Sequence, residues 1–173
     1  KHFPGHGSVA EDSHVEFPVD ARALHEIEAS DLRPFRALAD AGLPGMMMAH
    51  VIYPAVDHLP AGFSSVWVRE RLRERYGFAG AVFTDDLSMA AATRIAEPLA
   101  RVNMALEAGC DMALLCNRPQ DAAEVLAKLD VTHDAQRETR LQAMRARGAP
   151  VPLHELRAQD RFQSTLERMQ ALV

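Results

Sequence analysis

Residues 46–53 read MMMAHVIY, a short and almost wholly apolar run broken only by His50. A strand buried on both faces needs such a run, and strands of that kind belong to parallel sheets covered by helices. The sequence on either side supplies the helices. Ser64 and Ser65 offer an N-cap, residues 66–76 (VWVRERLRERY) form a charged amphipathic stretch, and Gly77 stops it. A second buried strand at 80–83 runs straight into Thr84-Asp85-Asp86. A third unit repeats the pattern, with a helix around 101–108 ended by Gly109, a strand at 112–116 (MALLC) and a helix over 120–129. Upstream, the spacing of Leu24, Ile27, Leu32, Phe35 and Leu38 predicts a helix from Asp20 onward, ended by Gly42 and Pro44. Residues 1–18, with Pro4, Gly5, Gly7 and Pro18 and no apolar period, read as a loop. Helices alternating with short buried strands give an α/β architecture of parallel strands and crossover helices.

Three strands are visible, and a fourth if one ends just before Lys1. Four strands do not close a barrel, and a complete (β/α)8 barrel takes about 250 residues, whereas this chain has 173. The expected fold is therefore the C-terminal half of a TIM barrel over residues 1–130, followed by a helical extension over 131–173. In that extension the composition turns to Arg, Gln, Glu and Ala. Two helices are expected there, over 135–146 and 154–172, with a hinge at 148–152. Because the chain opens at Lys1 inside what looks like an active-site loop, the missing N-terminal half of the barrel is expected in a longer parent chain.

Composition narrows the partners. With 48% hydrophobic and 25% charged residues, and Lys+Arg 19 against Asp+Glu 24, the net charge is −5. That balance argues against a disordered chain, a polybasic nucleic-acid binder and a membrane-surface peptide. The longest apolar stretch, 41–56, contains Pro44, His50 and Pro54, which is wrong for a membrane span. A small-molecule substrate is expected, with neither nucleic acid nor membrane as partner. Cys110 and Cys116 are too few for a disulfide framework and, beside apolar runs, read as reduced core thiols of a cytosolic protein.

In barrels of this kind chemistry sits on the loops that follow the strands. Three places qualify: the opening loop, His50, and Thr84-Asp85-Asp86. Asp12-Ser13-His14 sets a carboxylate two residues from an imidazole, a pair able to raise the His pKa and fix its tautomer. A histidine so tuned gives a proton to a leaving oxygen and later takes one from water. The alternatives are an exposed loop histidine beside a turn-forming aspartate, or a metal site from His2, His6, Asp12 and His14. Against the metal, Pro4 and Gly5 break any helical face shared by His2 and His6, and neither metal nor cofactor is expected. Of Asp85 and Asp86, one serves as N-cap for the residues from Leu87 onward, leaving the other free as a nucleophile or electrostatic partner. Met46–Met48 and Met89 read as core packing.

These residues have a family likeness. Lys1-His2-Phe3-Pro4-Gly5-His6-Gly7 followed by Asp12-Ser13-His14 resembles the signature KHFPGHG-x4-D-[ST]-H of glycoside hydrolase family 3 β-N-acetylglucosaminidases. MAHVIY at 48–53 and FTDDLSM at 83–89 are similar to the next two strand-end motifs of that family, and residues 108–117 to its last barrel strand. The likeness covers roughly residues 1–129 and is nearest to the bacterial cytoplasmic enzymes of cell-wall recycling. It implies that Asp85 is the nucleophile of a retaining exo-enzyme that forms a covalent glycosyl-aspartate. It also implies His14 as general acid/base, Asp12 as its dyad partner, and Lys1 and His2 as binders of the N-acetylglucosamine hydroxyls. The implied substrates are N-acetylglucosamine–anhydro-N-acetylmuramic acid fragments of peptidoglycan. A family 3 β-glucosidase is the alternative within enzymes, and the Asp12-His14 loop dyad argues against it. A catalytically incomplete half-barrel that only binds sugar or a partner is the alternative outside them.

Overall fold

The computed structural model describes residues 1–13, 18–146 and 148–172. After the opening loop come two helices, α1 (Leu24–Ala29) and α2 (Leu32–Asp40), where the apolar spacing suggested one. Pro34 accounts for the break. It has no N–H to give to the carbonyl four residues back, so it fits only in the first turn of a new helix. Ser30 closes α1 instead, its Oγ donating to the Glu26 carbonyl at 2.6 Å.

β1 (Gly45–Met47) follows, then β2 (Ile52–Tyr53), β3 (Asp57–Pro60), a 3-10 turn (Ala61–Phe63) and a π-type helix (Val66–Arg75). Next are β4 (Ala81–Asp86), α3 (Ala90–Thr93), α4 (Pro98–Ala108), β5 (Met112–Leu114) and α5 (Pro119–Lys128). Gly109, at φ +112°, ends α4 in the left-handed conformation that glycine tolerates. The chain closes with α6 (Ala135–Ala143), α7 (Leu153–Ala158) and α8 (Asp160–Gln170). The last two replace the single helix expected over 154–172. They divide at Gln159, whose extended backbone ends one helix and begins the other.

β1, β4 and β5 form a parallel sheet in the order β1-β4-β5, with Met46 opposite Val82 and Phe83 opposite Met112. On the free side of β1, Phe3 bridges Met48 in parallel. Its N–H donates to the Met47 carbonyl at 2.8 Å, and its carbonyl accepts the Ala49 N–H at 2.7 Å. The run at 46–53 is thus not one strand. Past Met48 the chain leaves the sheet, and β2 pairs antiparallel with β3 instead.

One core cluster, including Phe3, Ile27, Tyr53, Trp67 and Val82, gathers β1 and β4 with α1, α2 and the π-type helix. A second, with Leu87, Val102 and Val125, lies under α4 and α5. Met46, Met48 and Met89 are buried, as core packing requires. Cys110 is buried too, but Cys116 is exposed, contrary to its reading as a core thiol. β5 ends at Leu114, and Cys116 sits in the loop beyond it.

At the N-terminal ends of the strands Asp111 is a buried clamp. Its carboxylate accepts the Val82 N–H at 2.8 Å, Arg73 at 2.7 Å and Arg140 at 2.7 and 3.0 Å. One side chain thereby pins the π-type helix and α6 to the sheet. Among the described residues no helix is long and apolar enough to cross a membrane.

Candidate active site

The C-terminal end of β4 is built around two adjacent aspartates with different surroundings. Thr84 is buried, and its Oγ accepts the Leu114 N–H at 2.9 Å, tying β4 to β5. Asp86 accepts the Ser88 N–H at 2.8 Å, the Cys116 N–H at 3.0 Å and the Asn117 amide at 2.7 Å. Burial alone would raise its pKa, but the bonds from Cys116, Ser88 and Asn117 outweigh it and hold the carboxyl below its ordinary range. Strand alternation turns Asp85 away from Thr84 and Asp86. Its Oδ1 accepts the Asp86 N–H at 2.8 Å, and its Oδ2 lies 3.3 Å from His2 Nε2. The Asp85 side chain is 16% exposed, so of the two carboxylates it is the one open to a substrate.

The opening loop reaches this point because Phe3 anchors it. Phe3 is fully buried and packs edge-to-face on Phe35 (5.5 Å) and Trp67 (6.0 Å). Two residues on, Gly5 has φ +154°, and a Cβ there would stand 2.6 Å from Asp31 Cβ. Only glycine lets the loop lie so close to the residue that opens α2. The Tyr53 hydroxyl donates to the Gly5 carbonyl, and His6 Nε2 lies 3.2 Å from Ser13 Oγ, folding the loop back on itself.

Within this frame His2 is partly buried. Burial lowers its pKa most strongly, Asp85 opposes that, and Lys1 and His6 lower it further. The net shift is downward, which favours the neutral imidazole near pH 7, with Nε2 standing 3.3 Å from Asp85 Oδ2. Lys1 is exposed beside it, and Asp12 is exposed in the same loop. His14, the expected acid/base, lies outside the described residues. His50 is buried at the same end of the sheet, its Nε2 3.1 Å from the Asp86 carbonyl and its ring stacked on Phe63. The His2 and His6 rings are 6.2 Å apart, and among the described residues no three His, Cys, Asp or Glu side chains form a metal-binding group.

All three strand-end places read from the sequence therefore meet at one end of the sheet. Sequence reading missed Asn117 as a partner of Asp86. A polar residue directly after the apolar run 112–116 was the available signal, the same one that marks Asp85.

Residues 1–144 match the glycosyl hydrolase family 3 N-terminal domain. The chain is 53% identical over 173 residues to a β-hexosaminidase of Thiobacillus denitrificans, covering 99% of this chain and 48% of the relative. A β-hexosaminidase of Nitrosospira multiformis is 50% identical over 169 residues, with 98% and 48% covered. The chain thus spans about half the length of the curated relatives it matches. NagZ of Neisseria gonorrhoeae, solved in complex with N-trifluoroacetyl-D-glucosamine, superposes with a TM-score of 0.86 at 38% identity, over 99% of this chain and 49% of that one. A family 3 β-N-acetylglucosaminidase of Paenibacillus gives 0.76 at 29% identity, over 97% and 35%. Parallel sheet, strand-end residues and likeness along the whole chain agree: this chain belongs to glycosyl hydrolase family 3.

Proposed function

We propose that the intact protein is a retaining exo-β-N-acetylglucosaminidase that removes N-acetylglucosamine from muropeptide fragments during cytoplasmic cell-wall recycling. The observation that carries this reading is the contact between His2 and Asp85, 3.3 Å apart. It joins the opening loop to the end of β4, two motifs separated by some eighty residues, at the more open of the two adjacent carboxylates. The binding of N-trifluoroacetyl-D-glucosamine by the gonococcal relative supports an N-acylglucosamine as the sugar recognised.

The chemistry runs in two displacements. Asp85 attacks the anomeric carbon and forms an ester bond to it, while the glycosidic C–O bond breaks and His14 gives its proton to the departing oxygen. Water then loses a proton to His14 and displaces Asp85, restoring the configuration at the anomeric carbon. Asp12 raises the basicity of His14, so that the imidazole is protonated when the first step needs it. A histidine acid adds no second negative charge beside Asp85. Neutral His2 orients the carboxylate without quenching its charge, and Lys1 with His2 receives the sugar hydroxyls.

The test is nitrophenol release from the β-N-acetylglucosaminide and the β-glucoside by the intact protein and its Asp85→Asn and His14→Ala variants. Activity on the N-acetyl substrate, reduced by about 10²-fold or more in each variant, is expected. Activity confined to the glucoside would favour a β-glucosidase, and near-normal turnover by Asp85→Asn would remove the nucleophile assignment.

A further inference from the structure

His50 stands at the mouth of the sheet without a part in the two displacements. It is 1% exposed, and its ring lies on Phe63 with centroids 5.8 Å apart and planes 13° from parallel. Its Nε2 is 3.1 Å from the Asp86 carbonyl oxygen, an atom that only accepts. Nε2 therefore carries the proton and Nδ1 is a bare acceptor. Among the described residues that Nδ1 is buried with no partner, facing Gly62, where a Cβ would come within 4.0 Å. An orphaned buried acceptor is unfavourable, and a phenyl ring would stack on Phe63 without one. What the imidazole alone brings is the Nε2–H.

That bond is one of three made by the Asp86 main chain. The Asp86 carbonyl is held by His50 from the β1 side and by the Met89 N–H, also at 3.1 Å, from the turn after β4. The Asp86 N–H in turn donates to Asp85 Oδ1 at 2.8 Å. We infer that His50 is a positioning residue for the reaction: by fixing the Asp86 main chain, it fixes the N–H that aims the Asp85 carboxylate. Burial keeps the ring neutral against the opposing pull of Asp85 and Asp86, so it works as a donor of constant charge. The inference rests on the reading of Asp85 as the nucleophile.

Glutamine extends its amide nitrogen about as far as Nε2 and preserves the donor; asparagine falls short of the Asp86 carbonyl. In the intact protein, His50→Asn should lower kcat on the nitrophenyl β-N-acetylglucosaminide about ten-fold with KM little changed. His50→Gln should recover most of the loss. Equal kcat in the two variants, or a loss confined to KM, would overturn the positioning role. Asp85→Asn is measured alongside: if it stays active the nucleophile reading falls, whereas if it is inactive and His50→Asn is normal only the His50 inference falls. Nitrogen NMR of the imidazole-labelled wild-type protein serves if the Asn variant does not fold. A neutral Nε2–H tautomer is expected at His50, and an Nδ1–H tautomer or a doubly protonated ring refutes the inference.

Discussion

Asp85 and Asp86 are neighbours of identical chemistry, and the structure predicts opposite consequences for removing them. Asp86→Ala takes the acceptor from the Ser88 and Cys116 N–H groups and from the Asn117 amide. Asn117 is exposed and re-solvates, but the bonds from the Ser88 N–H, in the turn after β4, and the Cys116 N–H, in the loop after β5, are both partly buried. At roughly 1–3 kcal/mol for each donor left without a partner, with incomplete additivity, the variant should lose about 3 kcal/mol of stability. Among the described residues, Asp85→Ala strands the Asp86 N–H and the His2 contact alone, and should lose about 1 kcal/mol or less. Turnover should show the reverse order. Asp85→Ala drops by about 10²-fold or more, while Asp86→Ala, assayed under conditions where it is folded, keeps the larger share of activity. Urea titration of the intact protein and nitrophenol release measure the two axes separately. A pH series adds a signature. The Asp86 carboxyl is held low in the fold, so its stabilisation is present above its unfolded pKa of about 3.9 and is lost as pH falls through the lower folded value. The stability gap between wild type and Asp86→Ala should therefore be wide at neutral pH and close as the solution is taken below about pH 4. A gap independent of pH, or an Asp86→Ala protein as stable as wild type, would refute the division between the two aspartates.

Two more substitutions test the frame around the site. Gly5→Ala forces a Cβ to within 2.6 Å of Asp31 Cβ at φ +154°; about 1–3 kcal/mol of strain follows, and displacement of the opening loop should cut kcat/KM about ten-fold. Wild-type kinetics in that variant would mean that the loop is not held where the structure puts it. Asp111→Ala leaves Arg73 and Arg140 without their shared carboxylate, and urea titration should register a loss of about 3–5 kcal/mol. A smaller loss would show that the two arginines find water as readily as they find Asp111.

The architecture was legible because it depends on short-range signals. Apolar runs of strand length, Gly77 and Gly109 at helix ends, and polar residues directly after strands each speak within a few positions. The misread details are those where a local rule met a stronger one. The apolar period from Ile27 to Phe35 continues through a point where Pro34 forbids a continuous helix. The run at 46–53 carries strand character throughout, yet its second part pairs with β3 and not with β4. Cys116 reads as apolar, yet it lies past the end of β5 with its N–H on Asp86. What stayed invisible is pairing at a distance. Asp111 looks like a polar residue after a helix-ending glycine, and nothing near it announces Arg73 or Arg140, which reach it across 38 and 29 positions.

The two ends of the sheet also explain why residue type alone could not choose between Asp85 and Asp86. Asp111 and Asp86 carry multiply bonded carboxylates, each with donors on both oxygens. Such bonding suits a structural role, because an anion held by several donors is stabilised as it is and has less to gain by forming a new bond. Asp85 differs in degree and not in kind. Among the described residues, one oxygen takes a backbone N–H and the other one long contact from a histidine that burial drives toward neutrality. An arginine in place of His2 would bind the carboxylate in the ground state and oppose its attack on carbon. A neutral imidazole orients the group and leaves its charge available. On the proposed mechanism, the choice of nucleophile follows from which aspartate remains under-bonded, a property of β4–β5 register and of the opening loop's anchor at Phe3.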